Sequence, residues 1–219
     1  TITLEFPHLM RLIEHTQFDT VYHEHFSYLS LHTVSRIFDQ AGLRVFDVEE
    51  LSTHGGSLRI FGCHQNDSKV KTESVNSMLT EEVSRGLQSL TIYKNFQARA
   101  DKVKDDLLSF LIEQKCVGKK VAAYGAAAKG NTLLNYAGAK PDLLPFVCDA
   151  APAKQGKYMP GSHIPIMKPE MLCEVKPDVV LVLPWNITEE VAEQHSYIQE
   201  WGGQFAIAVP EMKIFETNL

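Results

Sequence analysis

The stretch Val121-Ala122-Ala123-Tyr124-Gly125-Ala126-Ala127-Ala128-Lys129-Gly130-Asn131-Thr132 decides the fold of this 219-residue chain. A short apolar run enters a turn of small residues and leaves it as the first turn of a helix. Gly125 and Gly130 match the outer glycines of a Gly-x-Gly-x-x-Gly turn, and Ala127 replaces the middle one. Small residues let the backbone approach a diphosphate, and the N–H groups of the helix start face the anion. Lys129 adds a positive charge there. The order Lys-Gly-Asn-Thr is not the Gly-Lys-Ser/Thr of a P-loop, which argues against ATP hydrolysis.

Downstream of this turn the pattern alternates regularly. After the strand Val121–Tyr124 and a helix over 129–136, strands are expected at 144–148, 179–183 and 205–209, with helices over 168–175 and 187–201 between them. Short apolar runs separated by helices predict an α/β domain with a Rossmann-like parallel sheet, covered on both faces. Asp149 closes the second strand, where an acid in such sheets accepts hydrogen bonds from a ribose hydroxyl. A plain strand–helix turn with Asp149 as a loop cap is the simpler alternative. The coincidence of turn, lysine and acid favours a nucleotide-like ligand. The connection from 149 to 165 carries Lys154, Gly156, Lys157 and His163 and is long for an α/β loop, which makes it a candidate binding loop.

Upstream, residues 73–114 place apolar side chains at Val75, Leu79, Val83, Leu87, Leu90, Phe96, Ala100, Val103, Leu107 and Leu111. This helical stripe allows one break near Gly86 or 91–93, and packing against neighbours is its expected use. Residues 65–72 are polar and read as a connection. Before them come a short β-type run over 1–4 that Glu5-Phe6-Pro7 breaks, helices over 8–16 and 30–41 with Gly42 as C-cap, and strands over 43–48 and 57–63 joined by Thr53-His54-Gly55-Gly56. About 60 residues of this kind bury too little surface to stand alone comfortably. They read as the C-terminal half of a larger α/β domain. The expected segments are therefore 1–64 (partial domain), 65–116 (helical linker) and 117–219 (Rossmann-like domain for a nucleotide-like ligand).

Within the first segment, Tyr22-His23-Glu24-His25-Phe26-Ser27-Tyr28 sets imidazoles, a carboxylate and phenols side by side. Histidine titrates nearest neutrality, and a neighbouring carboxylate or phenol can orient it. The combination suits removal of a proton from carbon, where a base must sit close and oxyanion donors must face it. Ordinary half-buried histidines at a helix start are the simpler alternative. His23 and His25 lack a third ligand at obvious spacing, so no metal is expected. His54 is a candidate to face the same cleft as His25.

The bulk numbers fit a soluble globular protein, with 44% hydrophobic and 22% charged residues. A net charge of −6 argues against nucleic acid as a partner. Cys63, Cys116, Cys148 and Cys173 are widely spaced and read as reduced thiols of a cytoplasmic protein. No apolar run approaches the ~20 residues of a membrane span.

Several motifs occur in a fixed order: Glu5-x-Pro7, Tyr22-His23-Glu24-His25-x-Ser27-Tyr28, His54-Gly55-Gly56-Ser57-Leu58-Arg59, Gly125-x-x-x-Lys129-Gly130-Asn131-Thr132 and Asp149-x-x-x-x-Lys154-x-Gly156-Lys157-Tyr158-x-Pro160-Gly161-x-His163-Ile164-Pro165. In this the chain resembles, over nearly its whole length, the C-terminal part of the sugar C-methyltransferases that act on nucleotide-linked 4-keto-deoxysugars. The resemblance implies a full-length enzyme in which a zinc module and a S-adenosylmethionine-binding fold precede a Rossmann-like domain. This chain has neither the zinc cysteines nor the glycine-rich cofactor loop. It is therefore expected to be a fragment, inactive alone, with S-adenosylmethionine bound mainly by a region it lacks. The roles implied are His25 as general base, Tyr22 and His23 as donors to the enolate oxygen, and Glu24 to orient an imidazole or bind a sugar hydroxyl. Gly125, Ala127, Lys129, Gly130, Asn131, Asp149, Lys154 and Lys157 would bind the nucleotide-diphosphate sugar. Two other readings compete: a non-catalytic nucleotide-sugar-binding module, and an NAD-dependent oxidoreductase, which Ala127 disfavours.

Overall fold

The computed structural model describes residues 1–215. They form two compact units. The first comprises Thr1–Gln17 and Glu24–Arg99, and the second Phe18–His23 and the described residues from 100 onward.

In the first unit, β1 (Ile2–Pro7) leads into α1 (Leu9–Glu14), and α2 (Leu31–Gln40) precedes β2 (Leu43–Leu51) and β3 (Ser57–His64). The strands form an antiparallel sheet in the order β1-β3-β2. Pro7, expected to end the first strand, instead pairs with Ser57. Proline is tolerated because β1 is an edge strand. Ser30 caps α2, its Oγ accepting the Thr33 N–H at 3.2 Å, and Gly42, just past the helix, takes φ 70°. In β2 the register slips between Val45 and Asp47. That bulge lets Val45 and Val48 both turn inward although they are three residues apart, which a strict period of two forbids. The core joins Met10, Leu31, Val34 and Phe38 to Val45, Val48, Leu58 and Ile60.

The expected helical linker is divided between the units. α3 (Glu73–Ser84) adds Val75 and Met78 to the first unit's core, and α4 (Thr91–Lys94) and the opening residues of α5 (Phe96–Cys116) follow it there. The chain breaks twice, before α4 and before α5, where one break was expected. Val83 and Leu90, read as parts of a buried stripe, are 57% and 80% exposed.

In the second unit, β4 (Val121–Tyr124), α6 (Ala128–Ala137), β5 (Val147–Cys148), β6 (Ile166–Met167), α7 (Met171–Val175), β7 (Val179–Val182), α8 (Thr188–Gln194), β8 (Gln204–Ile207) and β9 (Lys213–Phe215) follow in order. The sheet order is β6-β5-β4-β7-β8-β9, parallel except for β9. Every residue of β4 and β7 is buried, as a sheet covered on both faces requires. Ala122, Tyr124, Val180 and Val182 pack on one face with Leu172 of α7 and Val191 of α8. The helix expected over 187–201 is α8 flanked by 3-10 turns at Trp185–Ile187 and Ser196–Trp201. The strands β6 and β9 were not foreseen, being too short to show alternation.

Candidate functional site

The turn after β4 is held by its small residues. Gly125 takes φ 95°, and a Cβ there would lie 2.8 Å from Pro184 Cγ. A Cβ on Gly130 would lie 2.7 Å from Leu183 Cδ1, so the glycine sets how closely α6 approaches the end of β7. Asp149, buried at the end of β5, accepts the Ala126 N–H and the Ala151 N–H at 2.8 Å each, and Lys154 Nζ at 2.9 Å. Its carboxylate thus ties the turn after β4 to the loop after β5, the geometry of a loop cap.

Beyond these strand ends lies a cavity of about 380 Å³. Ala127, Asn131, Lys154 and Lys157 line it, together with Tyr158, Met159 and Pro160 of the long loop. Ala127 gives α6 no side-chain cap, and the first turn of a helix is where backbone N–H groups favour an anion. Asn131 Oδ1 is buried without a hydrogen-bond partner. The loop is stitched in place by Gly156 N–H donating to Ile166 O at 2.9 Å and Asn135 Nδ2 to Pro160 O at 2.9 Å. Of the sequence candidates, Gly125, Gly130, Asp149 and Lys129 are not among the lining residues. Lys129 is instead buried, donating to Asn186 Oδ1 at 2.9 Å and lying over the Trp185 ring at 4.4 Å. Burial holds its pKa below the ordinary lysine value, with Asp19 opposing.

The Tyr22–His25 cluster is divided between the two units. Tyr22 and His23 belong to the second unit and line this same cavity. Glu24 and His25 belong to the first unit and line a pocket of about 390 Å³ with Glu5, Phe6, Phe26, His54 and Ser57. His54 and His25 therefore do share a pocket. Its walls are the end of β1, the segment after Glu24, and the 3-10 turn Thr53–Gly55. Within that turn His54 adopts φ 56°, a left-handed conformation that non-glycine residues avoid. Gln17 Nε2 supports the turn by donating to Gly55 O at 2.7 Å. Glu5 accepts from Arg59 at 2.9 Å and from Thr53 at 3.0 Å, and the Arg59 contact holds its carboxyl below the ordinary range. The pocket thus has a fixed carboxylate on its rim. The rings of His25 and Tyr28 meet edge-on at 6.4 Å.

Two residues that sequence reasoning passed over matter here. Asp19, just ahead of the cluster, is fully buried, and burial raises its pKa to about 6. Trp185, just past the end of β7, donates Nε1–H to Asp19 Oδ2 at 2.7 Å. The signal for Trp185 was its position beside the first strand's neighbour in the sheet, where ligands and anchors collect. Asp19 carried no signal of its own.

Neither unit offers S-adenosylmethionine a fitted cradle among the described residues. In the second unit, the acid that would accept its ribose hydroxyls is engaged by two N–H groups and a lysine. In the first, β1 passes into α1 through Pro7-His8, without a glycine turn from strand to helix. No helix among the described residues is long and apolar enough to cross a membrane.

A parallel sheet in this order, with a cavity beyond the carboxyl ends of its strands, defines the second unit as a Rossmann-like α/β domain. Residues 52–210 match the family model of the C-methyltransferase C-terminal domain, and the chain belongs to that family. It is 37% identical over 215 residues to the C-methyltransferase NovU of Streptomyces niveus, a match covering 98% of this chain and 51% of that protein. The chain thus spans about half the length of the curated relative it matches.

Proposed function

We propose that the chain is the C-terminal part of a S-adenosylmethionine-dependent C-methyltransferase that acts on a nucleotide-linked 4-keto-deoxysugar. The observation carrying this is the cavity at the uncapped start of α6, where Lys154 and Lys157 stand among the lining residues. A helix start without a side-chain cap and lysines suit a diphosphate, and the unpartnered Asn131 Oδ1 suits a hydroxyl or imide N–H donor of the same ligand. Gly125, Gly130 and Asp149 serve as the frame of this site. Tyr22 and His23, lining the same cavity, donate hydrogen bonds to what it holds.

The first unit is the closing part of a methyltransferase-type α/β domain and supplies the proton-transfer group. A 4-keto group acidifies the hydrogen on the neighbouring carbon, and His25 takes that proton as general base. Glu24 and His54, which line the pocket with it, orient the imidazole or bind a sugar hydroxyl. S-adenosylmethionine supplies the methyl group when bound. The saturated Asp149 carboxylate and Ala127 both count against the NAD-dependent alternative.

In the full-length protein, His25→Ala is expected to abolish deuterium exchange at the carbon beside the ketone, whereas His54→Ala lowers it by about tenfold. Exchange at the normal rate in His25→Ala removes His25 from the base role. If His54→Ala alone abolishes exchange, the base is His54.

A further inference from the structure

The order of the second unit's sheet reverses at β4, with β5 and β6 on one side and β7 and β8 on the other. In open α/β sheets, ligands enter the crevice at the carboxyl ends of the strands beside such a reversal. Here a piece of the chain's own backbone reaches that place. The 3-10 turn Phe18–Thr20 packs on α6, with the Phe18 ring edge-on to Tyr136 at 5.2 Å. Asp19, fully buried, takes the Trp185 indole N–H at 2.7 Å. Lys129 lies over the Trp185 ring, its Nζ 4.4 Å from the centroid. A buried carboxylate thus sits in the field of a buried lysine at this point of the sheet.

We propose that Asp19 is a positioning residue, clamping Phe18–His23 onto the sheet's reversal point and thereby holding Tyr22 and His23 in the cavity wall. The link from clamp to wall is short. Val21 N–H donates to Phe18 O at 3.0 Å, and Tyr22 N–H to Thr20 O at 3.1 Å. Tyr22 is therefore tied to the turn that Asp19 anchors. His23 follows it and is the last residue of the second unit's segment. The clamp also explains why Lys129 is drawn away from the cavity: its charge is used on the protein's own carboxylate and on Asn186. The inference rests on the proposed function only for what the cavity binds.

The test uses the full-length protein carrying Asp19→Ala or Asp19→Asn, with amide hydrogen exchange over residues 18–23 and calorimetric titration with thymidine diphosphate. Asn keeps an acceptor for the indole, and Ala does not. Asp19→Ala is expected to speed exchange in the segment at least about tenfold and to weaken thymidine diphosphate by about tenfold, while Asp19→Asn stays within about threefold of wild type in both. If Asp19→Ala does not fold, Trp185→Phe removes the donor and carries the same expectations. The clamp is overturned by unchanged exchange over 18–23. It is equally overturned if the segment loosens with affinity untouched, or if Asn behaves as Ala does. A wild-type protein that does not bind thymidine diphosphate sinks the nucleotide reading and leaves the clamp to be judged on exchange alone.

Discussion

Gly125 shows how far one residue can constrain this chain. Its φ of 95° and the nearness of Pro184 mean that even a methyl group must strain the backbone and push on a ring at the end of β7. Gly125→Ala is expected to cost about 2–4 kcal/mol. Urea unfolding measures this, and a loss under about 1 kcal/mol means the turn relaxes freely. The glycines were legible in the sequence because their reason is local. For Asp149 the loop cap was legible as the simpler of two readings, but spacing could not choose between them, and it did not say what Lys129 meets. Asp149 turned inward to the Ala126 amide and to its near neighbour Ala151, and Lys129 to Trp185 and Asn186, because the fold brought partners there to meet them.

Among the elements, α3 departs most from its apolar stripe. Its buried positions are Val75, Met78 and Glu82, so the helix is turned to put a carboxylate inside. Glu82 accepts the Leu31 N–H at 2.6 Å and the His32 N–H at 2.9 Å, at the N-terminal turn of α2, and meets His8 Nε2 at 2.9 Å. A carboxylate is favoured at a helix start, where backbone N–H groups lack partners. Hydrophobic periodicity cannot foresee this, since it counts Glu82 as a surface residue. Glu82→Ala leaves the helix start and His8 unsatisfied in a dry interior and is expected to cost about 3–5 kcal/mol. The loss should appear as a lower urea midpoint with the slope unchanged. A cost near zero would mean that water replaces the carboxylate. Strand lengths failed for a related reason: β1 runs through Pro7 because it is an edge, and edge status is a property of the sheet.

At the scale of the whole molecule, the α/β alternation after residue 117 was plain in the sequence, but the division into units was not. It cuts the Tyr-His-Glu-His cluster between His23 and Glu24, since Phe18–His23 is held by Asp19 in the second unit. That buried carboxylate also gives the stability of the protein an unusual dependence on pH. Arg11 holds the carboxyls of Glu14 and Glu50 below the ordinary value of 4.5, so their contribution is present at neutral pH and lost on acidification. Burial likewise lowers His195 below 6.5, and its contribution fades as the pH falls beneath that value. Asp19 has the opposite sign. Its folded pKa of about 6 exceeds the ordinary 3.8, so folding takes up a proton between those values. The anion is unfavourable above about pH 6, and the penalty disappears as the pH falls towards 3.8. That gap corresponds to about 3 kcal/mol. Because Glu14, Glu50 and His195 are common to both proteins, they cancel when Asp19→Asn is compared with wild type. The variant is expected to gain about 2 kcal/mol on wild type between pH 4 and pH 8, most of it between pH 4 and pH 6, in urea unfolding at a series of pH values. A difference that stays flat across this range would mean that Asp19 is not an ionised group buried against Trp185, and the clamp would then rest on the shape of the Phe18–Thr20 turn alone.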